Sequence, residues 1–137
     1  MNVIFCRSHG IGGWLIRLLT FSKWNHVGLE YNGRVIDATV KNGVFESSLY
    51  DFKNRYDKTQ SIAARDVNQF AVWNFAKKQI GKKYDWAAIV ALPFRENWQS
   101  GKSWFCSELV SASLAAGGKA LRVPAGRVTP RDLWVSL

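Results

Sequence analysis

The sequence predicts an α+β fold, in which an antiparallel meander of strands packs against helices. Three observations carry this. Two alternating runs, residues 26–31 and 34–40, flank Asn32-Gly33. Asn-Gly between such runs marks a tight hairpin, because both turn residues must take positive φ. A second pair, Asn42-Gly43, leads into Val44-Phe45-Glu46 and extends the meander to a third strand. Helical patterns then occupy the segments on either side.

In chain order, residues 2–6 read as a short strand and residues 10–13 as a glycine-rich turn. Residues 14–21 read as a short helix with an apolar face. After the meander, residues 60–66 add a further strand. Residues 67–80 read as a helix whose buried stripe is Phe70, Trp73, Lys77 and Ile80, with Gly81 as its stop. A second helix is expected from Asp85 to Leu92, before Pro93, and an irregular loop over residues 94–103. A helix opens at Cys106 and ends at Gly117-Gly118. Thr129-Pro130-Arg131-Asp132 reads as a cap with proline in the first helical position.

The 137 residues are 47% hydrophobic with seven tryptophans, which suits one domain over residues 1–137 with one real core. No stretch approaches the roughly 20 apolar residues of a membrane span. The start of the chain has no basic-then-apolar leader, so a cytoplasmic protein is expected, or one released without a signal, as from a phage. Two cysteines are too few for a disulfide scaffold. The net charge of +9 is spread along the chain, with Lys77-Lys78 and Lys82-Lys83 as the local cluster. It suits a basic surface or attraction to an anionic partner: nucleic acid, lipid headgroups or an acidic wall polymer. There is no specific nucleic-acid motif.

A two-residue turn at Asn32-Gly33 fixes the register. Tyr31 faces Arg34, Leu29 faces Ile36, Val27 faces Ala38 and His26 faces Thr39. Val27, Leu29, Tyr31, Ile36, Ala38 and Val40 then share an apolar, core-facing side. His26, Gly28, Glu30, Val35, Asp37 and Thr39 share the other. Asp37 is the diagonal neighbour of His26, at roughly 7 Å between Cβ atoms. A carboxylate there can accept from one ring nitrogen, fix the tautomer and stabilise an imidazolium. Thr39, directly opposite, is the alternative orienter.

Cys106 lies in Trp104-Phe105-Cys106-Ser107-Glu108-Leu109-Val110, in the first turn of a predicted helix. Unpaired backbone N–H groups and the positive end of the helix favour a thiolate there and can receive an oxyanion. The plain alternative is a buried structural cysteine.

Residues 104–110 resemble the nucleophile motif of the NlpC-type papain-fold cysteine peptidases. Gly81-Lys82-Lys83-Tyr84-Asp85-Trp86 is similar to the glycine-x-x-tyrosine-x-tryptophan segment of that superfamily. Trp24-Asn25-His26-Val27-Gly28 precedes the cysteine instead of following it. That order marks the circularly permuted branch, with its YiiX-like hydrolases and lecithin retinol acyltransferase-like proteins. The resemblance covers roughly residues 2–46 and 80–133. It implies a permuted papain-like fold with Cys106 as nucleophile, His26 as base and Asp37 as third member. YiiX-like members usually carry glutamate at this third position, one methylene longer. Tyr84, Ser107, Thr39 and Trp24 become candidate oxyanion or substrate contacts. No cofactor is implied. The implied activity is a cysteine hydrolase, an amidase or peptidase on a cell-wall peptide or similar amide. Lipid or thioester acyl transfer is the alternative.

Two other classes stay open on the residues. Cys6, His9, His26 and Cys106 can be combined as four metal ligands, although structural zinc sites favour paired close spacings. The charge, with Trp14, Trp24, Trp98 and Trp104, suits a non-enzymatic module for nucleic acid or anionic lipid.

Overall fold

The computed structural model describes residues 1–8, 22–85, 103–121 and 128–137. The turn and helix expected over 10–21, the helix expected beyond Asp85, the loop up to residue 102, and His9, Trp14, Trp86 and Trp98 lie outside them.

The meander forms as expected and is the centre of a five-stranded antiparallel sheet. Its strands are β1 (Asn2–Arg7), β2 (His26–Tyr31), β3 (Arg34–Thr39), β4 (Gly43–Ser48) and β5 (Lys58–Ala63), in the order β4-β3-β2-β1-β5. Asn32 and Gly33 both take positive φ, and Tyr31↔Arg34 and Leu29↔Ile36 pair as the turn requires. The β2–β3 ladder is paired over only three positions, Tyr31↔Arg34 to Leu29↔Ile36, so the direct opposition of His26 and Thr39 is not part of it. β3 stops at Thr39. Val40 is therefore in the next turn and exposed, not in the core.

Four helices follow among the described residues: α1 (Leu49–Asn54), α2 (Gln69–Lys77), α3 (Cys106–Ala116) and α4 (Pro130–Ser136). A short parallel pair, β6 (Lys83–Tyr84) and β7 (Ser103–Trp104), joins the segment after α2 to the segment before α3. Thr129 caps α4 as expected: its hydroxyl accepts from Asp132 N, and Asp132 accepts from Thr129 N.

The central strands β1, β2 and β3 are buried on both sides. On one side Val3, Phe5, Val27, Leu29, Ile36 and Ala38 meet Leu109, Val110 and Leu114 of α3 and Val72 and Ala76 of α2. On the other a smaller core joins Ile4, Cys6 and Val35 to Phe52 of α1. α2 is rotated relative to the stripe read from sequence. Phe70 and Ile80 are 71% and 41% exposed, while Val72 and Ala76 are buried. The small Ala76 and branched Val72 let α2 approach α3 closely, and a stripe of large residues would hold it off.

The second core was not anticipated. Its helix α1 starts at Ser48, whose hydroxyl accepts from Asp51 N. Phe52 and Tyr56, four residues apart, lie over the sheet. Gly28 makes the seat: a Cβ there would lie 2.9 Å from the Phe52 ring and from Val35. Among the described residues no helix is long and apolar enough to cross a membrane.

Candidate active site

The site forms where the two cores meet, at the start of β2. Asn25 fixes that end. Its backbone N–H donates to Cys6 O, and its side chain exchanges hydrogen bonds with Ser8. His26 follows as the first residue of β2, opposite Cys6 on β1.

The diagonal geometry read from the hairpin is present. His26 Nε2 lies 2.8 Å from Asp37 Oδ2. Asp37 is completely buried and His26 is 9% exposed. Cys106 lies close enough to His26 for its charge to act on the ring. Burial alone would lower the basicity of the ring. Charge on Cys106 and the hydrogen bond to Asp37 outweigh it, and the imidazole is pushed up to about 9. The ring is therefore an imidazolium at neutral pH, paired with Asp37 and facing Cys106.

Cys106 is the first residue of α3, with Phe105 as its cap residue, and is 1% exposed. The turn is fixed by Glu108, whose carboxylate accepts from Phe105 N at 3.1 Å. Burial raises Glu108, the Phe105 N–H opposes this, and the net effect pushes it up to about 7. The β6–β7 pair brings Tyr84 level with Trp104. The Tyr84 ring packs edge-on against Phe105 at 5.9 Å. Burial, and then charge on Cys106, raise its phenol, which remains a protonated donor. The approach of β6 to β4 depends on Gly43, which has φ +65°. A Cβ there would lie 2.3 Å from Lys82 O.

Three sequence candidates take other roles. Thr39 Oγ1 accepts from Asn42 N and closes the β3–β4 turn. Its place at the strand end lets it satisfy a turn amide nearby. The Ser107 hydroxyl is buried and donates to Val128 O, which ties α3 to the segment before α4. Trp24 is in the large core, against Phe5 and Trp134, because its side chain points to the apolar side opposite His26. Trp104 is also buried, with its indole N–H donating to Gln79 Oε1. Among the described residues no group of three or more His, Cys, Asp or Glu side chains is gathered as a metal ion requires. Cys6 is engaged elsewhere, with its thiol on Ile4 O at 3.8 Å.

Two residues of the site were missed by sequence reasoning. Arg55, at the end of α1, donates from Nη2 to Asp37 Oδ1 at 3.0 Å and from Nη1 to Asp37 Oδ2 at 3.3 Å. Tyr56 stacks on the His26 ring at 5.2 Å and 18°. The Ser48-Leu49-Tyr50-Asp51 cap signal marks the helix that carries them.

No family model matches this sequence, and no curated protein does. The fold is similar to the crystal structure of metalloprotein YiiX from Escherichia coli O157:H7, DUF1105. The TM-score is 0.67 at 20% identity, over 88% of this chain and 67% of that one. This likeness concerns the fold, a mixed α+β arrangement around an antiparallel sheet. It agrees with the YiiX-like side of the resemblance read from the sequence.

Proposed function

We propose that the protein is a cysteine hydrolase working by acyl transfer, with Cys106 as nucleophile, His26 as acid–base group and Asp37 as the orienter of His26. On this reading the domain is a circularly permuted papain-like one. The observation that carries the proposal is a buried carboxylate, Asp37, holding one ring nitrogen of His26, with Cys106 at a helix start close enough to act on that ring.

The Cys106 thiolate, kept beside the imidazolium, attacks the carbonyl carbon of an amide or ester. Backbone N–H groups at the start of α3 receive the oxyanion, and the Tyr84 phenol is a further donor to it. His26 passes its proton to the leaving amine or alcohol as the carbonyl re-forms and the acyl group stays on sulfur. His26 then takes a proton from water, the hydroxide attacks the thioester, and Cys106 leaves as thiolate. An amide, as in a wall peptide, is the substrate class this site suits first. Lys77, Lys78 and Lys83 are exposed on the segment that leads into Tyr84, which favours an anionic acyl carrier.

The test is labelling with an electrophilic acyl probe followed by peptide mapping. The label is expected on Cys106 and is expected to vanish in H26A. A label on Cys6 with Cys106 unmodified sinks the assignment.

A further inference from the structure

We propose that Arg55 is a positioning residue of this site: its guanidinium holds Asp37 as a fixed carboxylate and thereby sets the orientation of His26 toward Cys106. This rests on the Cys106–His26 reading above and adds a residue to it from an element that carries none of the sequence motifs.

Asp37 is completely buried, and its two oxygens meet three donors: Nη2 of Arg55 on Oδ1, and both Nη1 of Arg55 and Nε2 of His26 on Oδ2. A fork that spans both oxygens fixes the plane of the carboxylate, whereas a single donor leaves it free to swing. The plane of the carboxylate decides where Oδ2 meets the ring.

A buried carboxylate without a cation takes up a proton or turns to water. Arg55 places a cation against the buried carboxylate, with Nη2 on Oδ1, the oxygen that does not meet His26. Among the described residues, Cys6 from β1 and Tyr56 after α1 border His26, and Tyr84 from β6 lies near Cys106 and Tyr56. Burial raises all three, so they stay protonated and neutral. None supplies the positive charge that Arg55 brings.

Arg55 is itself held. Nη2 also reaches Ser47 Oγ at 3.2 Å, and the guanidinium lies over Phe45, Phe52 and Tyr56 at 4.8, 4.9 and 5.7 Å. Three rings around a charge pre-form its position before Asp37 is engaged. Phe52 and Tyr56 also border the His26 ring, so one short helix both seats the imidazole and delivers the cation.

The test follows the His26 ring by NMR, with the full chain as the sample. There are two histidines, so H26Q assigns the signal. In R55M the His26 titration is expected to fall by about one unit. The acid limb of Cys106 alkylation by iodoacetamide is expected to move to higher pH, with the neutral-pH rate down about tenfold. R55K keeps the charge and is expected to recover most of both. If R55M does not fold, R55Q takes its place under the same criteria. A His26 titration that is unchanged or raised, with only the urea midpoint lowered, overturns the proposal. Failure of the underlying pair reads differently: the wild-type ring then titrates near 6.5 and is unmoved by C106S, which removes the premise along with the proposal.

Discussion

The two sides of the sheet each hold a cysteine, and the two are built for opposite ends. Cys6 is at the end of β1 in the small core under α1, with its thiol on a backbone carbonyl. Burial, then the charges of Asp37 and Cys106, push it far above the ordinary thiol range. Cys106 belongs to the large core, equally hidden from solvent, yet it opens a helix and meets an imidazolium. Exposure does not separate them, since both are buried. What separates them is the local field: a strand interior gives Cys6 no helix dipole, and the pull of Arg55 does not offset its burial and the charge of Asp37, whereas Cys106 opens a helix beside His26.

The largest effect that can break this comparison is the exchange of serine for each cysteine. C106S should lose turnover of an activated acyl ester by about 10⁴-fold or more, while C6S should keep it. Equal losses would mean that the two thiols share one role. Next, D37N keeps the shape but gives up the charge, and turnover should fall by about 10–100-fold. A wild-type rate in D37N would detach the carboxylate from the site.

A third change acts on the cover over Cys6. G28A places a methyl against Phe52 and Val35, so about 1–3 kcal/mol of stability should be lost in urea melts. Cys6 should then become the faster-labelled thiol of the two relative to wild type. If its labelling is unchanged, α1 is not what protects it.

The smallest effect concerns pH. Glu108 has a raised value in the fold, about 7, so its burial is free of penalty below the unfolded value and opposes folding as pH rises through 7. E108Q should therefore add about 1 kcal/mol at pH 8 and little at pH 5. His26 runs in the same direction by the same sign: its value is raised to about 9, so its contribution is full below 6.5 and lost as pH rises through 9. In H26Q the decline between pH 7 and 9 should flatten, as read from urea midpoints across that range.

Local chemistry made much of this legible before any coordinates. Asn32-Gly33 admits few turns, so it determined the hairpin and, with the two-residue alternation, the placing of His26 and Asp37 on one face. Thr129-Pro130 likewise determined the start of α4, and the small residues after Cys106 a closely packed helix. Long-range packing decided the rest. The rotation of α2 depends on how closely Val72 and Ala76 can approach α3, which periodicity within one helix does not encode. The fates of Thr39, Ser107 and Trp24 depended on which turn amide, carbonyl or core lay within reach. Arg55 and Tyr56 are the clearest case. The cap at Ser48 marks their helix but not their role, and Gly28 leaves the room in which α1 settles on the sheet and brings them to Asp37 and His26. A hairpin register is set by bonds between near neighbours, but the charge that completes a buried carboxylate comes from whichever distant segment the fold lays over it.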